Sequence, residues 1–386
     1  MERLSQILTN RRKVLSPIYM PLDAVLGTGC NTRLESGQMA HTPSLRWSSA
    51  NTEYALVPSV WRIACRSFAS NQLESMATIL TRARKARMLA EFTFRVGPLF
   101  WRRMSEDRKR PVMPAPHVPR LSAWSGRGLH AAWIGHSTVL IRLDGFTILT
   151  DPVFGTRIGI GIGPFTLGMK RLVDPAISLS ELVVPDLILL SHAHMDHLDR
   201  PSLRNLEHLG TTIVTAVGTS DLLRVQRYEA VRELRWDETC QVGPAKVRAI
   251  EVKHWGARTR TDVHRGYNGY LIETDRYRIV FGGDTAFTDA FRKIRVSKPV
   301  DLAIMPIGAY DPWIHAHCNP EEALAMADQA GAEFVLPVHH RTFKLSNEPY
   351  NEPIERLLRA SGAAQDRIAI REIGEELHLG QVANVA

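Results

Sequence analysis

Short apolar runs separated by polar loops dominate the chain from residue 130 onward. Runs of four to six residues rich in Val, Ile and Leu are typical of buried strands, because helices need longer periodic segments. The predicted strands are residues 147–150, 187–190, 212–216, 247–252, 267–272, 278–281, 302–305 and 334–338.

Helices are fewer than strands in this pattern. The predicted helices are residues 321–329 and 352–361. The first follows Asn319 and Pro320, which are favourable as an N-cap and a first-turn residue. Tyr277 follows the preceding apolar run so closely that a hairpin turn across 274–276 is expected. The pattern therefore predicts a mixed α/β domain with hairpins, rather than a purely parallel doubly wound sheet.

The chain before residue 130 differs from the rest. Residues 1–75 are rich in Ser, Thr and Asn and show no sustained apolar period, which predicts a poorly ordered leader. A mis-assigned start, with translation beginning at Met20 or Met76, is the alternative. Residues 76–129 combine a basic amphipathic segment with a proline-rich strap, and residues 130–386 form the main domain.

Charge is distributed unevenly along the chain. The first 130 residues carry 20 Lys or Arg against 8 Asp or Glu, a net charge of +12, whereas the remainder has a net charge of −4. Residues 76–110 alone hold ten basic and three acidic residues, interleaved with aromatic and aliphatic side chains. This composition is typical of a membrane-surface helix. An ordinary helix packed on the main domain with its arginines in solvent remains the alternative.

Composition excludes several classes of protein. With 386 residues, 44% apolar and 23% charged, the chain is neither fibrous nor wholly disordered. No apolar stretch approaches the ~20 residues of a spanning helix. The four cysteines form no C-x-x-C pair, which excludes a disulfide framework and indicates a reducing, cytoplasmic compartment.

The clearest chemical signal is a cluster of histidines directly after the predicted strand 187–190. If the extended conformation continues, His192 and His194 project to the same side and can hold one metal ion. A turn after them would direct Asp196 and His197 to a neighbouring position, which offers a second metal site.

Each metal ion needs three or four protein donors, so further ligands must come from elsewhere in the chain. His254, Asp284 and His339 each lie just past a predicted strand, so one edge of a sheet would collect them. Asp284 suits a bridging role because a carboxylate has two oxygens to share between two cations. His339 is preferred to its neighbour His340.

Seven segments together resemble the metallo-β-lactamase superfamily. Within it, residues 133–355 resemble the branch of N-acylphosphatidylethanolamine-hydrolysing phospholipase D and its bacterial relatives. The segments are 133–138 (WIGHST), 150–154 (TDPVF), 191–199 (SHAHMDHLD), 282–285 (GGDT), 306–310 (PIGAY), 317–323 (HCNPEEA) and 338–343 (VHHRTF).

The resemblance implies a four-layer αββα sandwich, here with a basic N-terminal extension, and a dinuclear centre at one edge. By motif position one zinc ion takes His192, His194 and His254, the other takes Asp196, His197 and His339, and Asp284 bridges the two. Two Zn²⁺ ions are expected, with Mn²⁺ as the alternative. The resemblance also places His317 near the substrate with a part in catalysis. The residues alone favour a surface histidine before a helix at this position.

Three departures from the family pattern lie in loops on the substrate side. Residues 168–171 read GMKR where relatives often have GPKR, and a Gly/Ile run at 157–163 is inserted or diverged. His340 stands where the mammalian phospholipase has Trp. The lipid headgroup and acyl-chain preference therefore do not carry over from the resemblance.

The expected activity is a phospholipase D-type phosphodiesterase acting on N-acylphosphatidylethanolamine-like lipids. A hydroxide shared by the metal ions would attack phosphorus. A phospholipid substrate also suits the basic N-terminal third, which would place the protein on the inner face of the membrane as a peripheral protein.

Two other functions are open. One is a soluble metal-dependent lactonase acting on a small phosphorylated metabolite. The other is a non-enzymatic protein that binds membranes or nucleic acid, which the complete ligand set disfavours because clustered His and Asp are costly without metal. No nucleic-acid partner is expected, and the sequence leaves the oligomeric state open.

Overall fold

The computed structural model describes residues 109–380 except 163, 164, 260 and 297, together with residues 105 and 107. The predicted leader at 1–75 lies outside the described residues, as does the basic segment from 76 to 104. Among the described residues, no helix is both long enough and apolar enough to cross a membrane.

The described chain consists mainly of strands. They are β1 (Leu129–Gly135), β2 (Thr138–Leu143), β3 (Phe146–Thr150), β4 (Arg157–Ile162), β5 (Phe165–Lys170), β6 (Leu187–Leu190), β7 (Thr212–Ala216), β8 (Ala230–Leu234), β9 (Thr239–Val242), β10 (Ala245–Ile250), β11 (Gly269–Glu273), β12 (Arg278–Phe281), β13 (Val300–Pro306), β14 (Ala332–Val338) and β15 (Glu376–Leu379). The α-helices are α1 (Arg200–Asn205), α2 (Pro320–Ala330) and α3 (Glu352–Ser361). Short 3₁₀ helices lie at Leu121–Ala123, Ser220–Leu222, Val225–Arg227, Asp289–Ile294 and Gly362–Arg367.

These strands form two large mixed sheets and one separate hairpin. The first sheet has the order β15-β1-β2-β3-β6-β7-β8, antiparallel from β15 to β3 and parallel from β3 to β8. The second has the order β14-β13-β12-β11-β10-β9, with its parallel part at β12–β14. Strands β4 and β5 pair only with each other.

Successive residues along a strand face opposite sides of the sheet, so the buried apolar residues form two layers. In β12, Ile279 and Phe281 join the large apolar cluster shared by both sheets. Val280, between them, faces the opposite way and joins a cluster with α2, α3 and the 3₁₀ helix Asp289–Ile294. Period-two burial of this kind is expected of a sheet covered on both faces. The α/β sandwich predicted from the sequence is therefore confirmed.

The predicted elements agree with the structure apart from their ends. Strand β10 stops at Ile250 rather than at residue 252, and β11 begins at Gly269 rather than at residue 267. Beyond these ends the chain turns away from the sheet, and Lys253 and Tyr267 make single bridges to Ala286 and His192. The two predictions were wrong there because the apolar pattern continues into segments that support the site.

The predicted hairpin and the first predicted helix are both present. Strands β11 and β12 pair antiparallel, and the turn is closed by the Thr274 N–H, which donates to the Tyr277 carbonyl. Helix α2 begins with a capping box, in which the Asn319 side chain accepts the Glu322 N–H and the Glu322 carboxylate accepts the Asn319 N–H. This cap fixes the chain directly after His317.

Candidate metal centre

The seven predicted ligands meet at one edge of the two sheets. They follow the ends of β6, β10, β12 and β14, where the strand ends of both sheets come together. Their donor atoms form overlapping groups within 4.8 Å of one another: His192, His194 and His254; His192, His197 and Asp284; and Asp196, His197 and His339, joined by His136.

One group surrounds the Oδ2 atom of Asp284. This oxygen lies 3.1 Å from Nε2 of His197 and 3.1 Å from Nε2 of His339. Asp196 Oδ2 lies 3.5 Å and 3.4 Å from the same two nitrogens. Tetrahedral ligands with bonds of about 2.1 Å are separated by about 3.4 Å, so these four atoms have the spacing of ligands around a tetrahedral metal ion.

The other group consists of three imidazoles. His194 Nδ1 lies 2.8 Å from His192 Nε2 and 3.2 Å from His254 Nε2. The same Asp284 Oδ2 lies 3.7 Å from His254 Nε2 and 4.0 Å from His192 Nε2. One carboxylate oxygen therefore faces both groups. The other oxygen, Oδ1, is buried without a hydrogen-bond partner, so it too has lone pairs to offer a cation.

Asp151 holds two of the histidines in the required tautomer. Its Oδ2 accepts the Nδ1–H of His197 at 2.7 Å and the hydroxyl of Ser191 at 2.5 Å. Because Ser191 donates to Asp151, its oxygen can accept the Nδ1–H of His192 at 2.9 Å. Both histidines are thus left with an Nε2 lone pair facing the site, which is the usual support of a metal-ligating imidazole.

The second large sheet supports its ligands in the same way. The Nδ1–H of His254 donates to the carbonyl of Ala316 at 2.9 Å, which leaves its Nε2 free. His339 and His340 diverge: the former faces Asp284, whereas the ring of His340 stacks on Trp133 with centroids 4.6 Å apart. The structure thus favours His339 over its neighbour.

His317 lies beside this cluster and is only 6% exposed. Its Nδ1 is 3.7 Å from Asp284 Oδ2 and has no hydrogen-bond partner. It could join His254 and Asp284 as a further donor. The surface position that the residues alone allowed is wrong, because the 3₁₀-like turn from Trp313 and the cap of α2 hold the segment inward.

His136 belongs to the site and was missed by sequence reasoning. It is 1% exposed, and its Nε2–H donates to Asp196 Oδ2 at 3.0 Å. Its carbonyl accepts the backbone N–H of His339 at 3.1 Å. His136 therefore positions one ligand by its side chain and another by its backbone. Its φ of 52° in the turn after β1 is uncommon for a residue with a side chain, and such values often occur at functional sites.

The pKa values of the histidines differ between the two groups. Burial lowers the pKa of His194 to about 3 and that of His254 to about 4. Burial also acts on His339, but the carboxylates of Asp284 and Asp196 overcome it and raise its pKa to about 9. Burial opposes ionisation of Asp284 too, yet the nearby histidines, His197 first, hold its pKa well below the ordinary value.

This arrangement has the chemistry of a cation site. His197 Nε2, His339 Nε2 and Asp284 Oδ1 are buried polar atoms without hydrogen-bond partners. Such atoms are rare in native proteins and are costly unless something pairs with them. A divalent cation bound by His197, His339 and Asp284 would use these lone pairs, and the three imidazoles of His192, His194 and His254 form a second donor group, so the residues present fit two metal ions.

The pKa difference predicts how metal uptake depends on pH. Burial also opposes the charge of His197, but Asp284, Asp196 and Asp151 raise its pKa well above the ordinary value, so at pH 7 the metal-free protein holds protons on both His197 and His339. His194 and His254 are neutral, so protons must leave only the group of His339 when metal binds. The apparent affinity of the His339 group should therefore rise as pH rises toward 9, while that of the other group stays constant. Calorimetric titration with Zn²⁺ in buffers of different ionisation enthalpy measures the protons released. Release of none in either binding stage would contradict this prediction. His378→Gln, an exposed histidine on β15, is the control.

His136 gives a second prediction. His136→Ala should weaken metal binding by about 10–100-fold, because Asp196 loses the hydrogen bond that orients it. His136→Gln should restore part of the affinity, since its amide can donate to the same oxygen. Competition with a chromophoric chelator measures the effect, with His130→Gln as a control at the other end of β1. An unchanged affinity in His136→Ala would show that Asp196 needs no such support.

Known proteins share both the fold and this chemistry. A family model described as a beta-lactamase superfamily domain matches residues 147–340. A Mycobacterium tuberculosis protein is 31% identical over 69% of this chain and 74% of its own. The N-acyl-phosphatidylethanolamine-hydrolyzing phospholipase D 1 of Caenorhabditis elegans is 32% identical over 66% of this chain and 76% of its own.

A solved structure agrees at the level of the fold. A metallo hydrolase from the archaeon Ignicoccus hospitalis superposes with a TM-score of 0.50 at 19% identity, covering 65% of this chain and 98% of that protein. The sequence match and the convergence of histidine and aspartate donors lead to the same assignment. The chain belongs to the metallo-β-lactamase superfamily and is a metal-dependent hydrolase.

Proposed function

We propose that this hydrolase is a zinc-dependent phosphodiesterase that cleaves N-acylphosphatidylethanolamine-like phospholipids in the manner of a phospholipase D. The observation that carries the proposal is the 32% identity to the Caenorhabditis elegans enzyme, which extends over 66% of this chain. A site with room for two adjacent cations supports it, because such pairs are common in phosphoryl-transfer enzymes.

The donor set favours zinc. Five imidazoles and two carboxylates converge at the site, and nitrogen-rich sets of this kind suit Zn²⁺ better than Mg²⁺ or Ca²⁺, which prefer oxygen. Mn²⁺ is the alternative, since it accepts both kinds of ligand. When bound, two such ions lower the pKa of a water molecule and offset the charge on phosphoryl oxygens.

His317 is the residue that we assign to hydrogen-bond donation toward the substrate. Burial lowers its pKa well below the ordinary value, so the imidazole is neutral and carries a single N–H. That N–H can donate a hydrogen bond to a phosphoryl oxygen or to the oxygen of the departing alcohol. The packing of Cys318, whose N–H donates to the Thr285 carbonyl at 2.7 Å, fixes His317 next to Asp284.

Trp255 shields the histidine side of the site from water. Its ring lies 4.4 Å from that of His254 and 4.7 Å from that of His194, centroid to centroid. An apolar wall strengthens the electrostatic interactions of neighbouring charged groups. It also offers a surface to the aliphatic part of a lipid. A phospholipid substrate would bring the enzyme to a membrane surface as a peripheral protein.

The proposal predicts the products of the reaction. The zinc-loaded full chain should convert N-acylphosphatidylethanolamine in mixed micelles to phosphatidic acid and N-acylethanolamine, identified by mass. Asp284→Asn should lower the rate by at least about a hundredfold, because the negative charge and one of the two donor oxygens are lost. Asp289→Asn, an exposed carboxylate on the outer 3₁₀ helix, is the matched control. Hydrolysis of a phosphorylated lactone but no phospholipid would support the lactonase alternative instead.

His317 should affect catalysis without affecting metal content. His317→Gln is expected to lower kcat by about 10²–10⁴-fold, the usual contribution of a proton-transferring group. The zinc content of the purified variant, measured by atomic emission, should equal that of the parent. Loss of an ion from the variant would instead make His317 a ligand beside His254 and Asp284.

A further inference from the structure

Among the strands of the described chain, only those of the hairpin β4–β5 join neither large sheet. Its strands pair over all six residues, from Arg157 opposite Lys170 to Ile162 opposite Phe165. A two-stranded hairpin is at most marginally stable in water unless it packs on another surface. Something beyond its own hydrogen bonds must therefore stabilise this hairpin.

The register gives the hairpin one apolar face and one nearly bare face. Ile158 pairs with Met169 and Ile160 with Leu167, so these four side chains project to the same side. On the opposite side Gly159 pairs with Gly168, and Gly161 pairs with Thr166. Between Arg157 and Lys170 there is no charged residue.

Among the described residues, the packing on the apolar face is at its base. Ile158 is 4% exposed and packs with Val153 and Phe343. One step further along the strand, Ile160 is 55% exposed, and Leu167 opposite it is half-buried. Exposed apolar surface that continues outward from a packed base is typical of a contact site.

The base of the hairpin also adjoins the metal centre. The ring of Phe343, which packs on Ile158, lies 5.2 Å from that of His136. His136 in turn donates to Asp196. A surface that received the hairpin would therefore lie close to the metal-binding edge.

Cations surround the base. Arg110 and Arg157 lie there with Asp107 as a carboxylate partner, and the ammonium of Lys170 donates to the Arg110 carbonyl. No Asp or Glu occurs in the sequence between Asp151 and Asp174. The hairpin thus has a net positive base and an apolar outer part. This arrangement is complementary to a bilayer, in which anionic headgroups lie outside the acyl chains.

We propose that β4–β5 inserts its apolar face into the headgroup–acyl boundary of an anionic phospholipid bilayer, with the basic base at the headgroups. The inference extends the proposed phospholipid activity by identifying where the enzyme meets its substrate. Six paired residues at about 3.4 Å each give the hairpin a reach of about 17–20 Å. Interfacial elements bury about 5–10 Å, so the exposed part is long enough while Ile158 stays in the protein.

The test is binding of the full chain to vesicles of phosphatidylcholine and phosphatidylglycerol, measured by flotation without turnover. Ile160→Ser combined with Leu167→Ser should lower the partition coefficient by about tenfold, because two aliphatic side chains no longer enter the bilayer. The decrease should be similar at low and high salt, since salt screens only the charge attraction.

The matched control is Leu209→Ser combined with Val263→Ser, two residues 72% and 73% exposed in other loops, which should bind as the parent does. Thermal unfolding of both double variants checks the fold. If the hairpin variant fails to fold, Ile160→Ser alone changes a side chain that is already exposed and should still lower binding by about threefold.

Three results would overturn the inference. The first is unchanged vesicle binding by the hairpin variants. The second is reduced hydrolysis of long-chain lipids by variants that still bind vesicles as the parent does, which would make the apolar face a binding site for the acyl chain of the substrate. The third is a change in oligomeric state on sedimentation, which would make it a contact between copies. Binding that depends on the hairpin in a protein that does not cleave phospholipids would leave this inference standing and reject only the proposed activity.

Discussion

The buried carboxylate of Asp284 is the constraint on which the rest of the site depends. It is 2% exposed, and its Oδ2 faces histidines from the β6 loop and from the ends of β10 and β14. An ionised carboxylate is tolerated at such a depth only with positive partners. The imidazoles can supply that charge only by holding protons, whereas metal cations supply it while the imidazoles stay neutral. The fold therefore places a strong cation site where its two sheets meet.

The site depends on the directions in which the strands run as well as on their sequences. Strands β6, β12 and β14 run into the site from two sheets, so their following loops converge without any long connection. This is why ligands were predictable from a simple rule, that polar donors just beyond apolar strands share an edge. The rule depends only on local apolar patterning and applied to His254, Asp284 and His339 alike.

What the sequence could not predict depends on contacts between distant segments. His136 lies 60 residues from Asp196, and nothing in its local pattern indicates that partner. Strands β1 and β15 were missed because each contains polar residues whose partners lie far away in the sequence. His130 of β1 hydrogen-bonds to His378 of β15, and Glu376 of β15 accepts the Nε1–H of Trp124, only once the strands pair. The glycines of β4 and β5 break the usual strand pattern, although the register gives them a clear role as one bare face of a hairpin.

The hydrogen bonds of Asp151 have a further consequence. One oxygen holds His197 directly and His192 through Ser191, so a single side chain supports a donor in each half of the site. Any displacement of β3, which ends just before Asp151, would be transmitted to both halves together. The two cation positions therefore share the support of Asp151. A cation bound at either position would restrict the motion of Asp151 and so help to order the ligands of the other position.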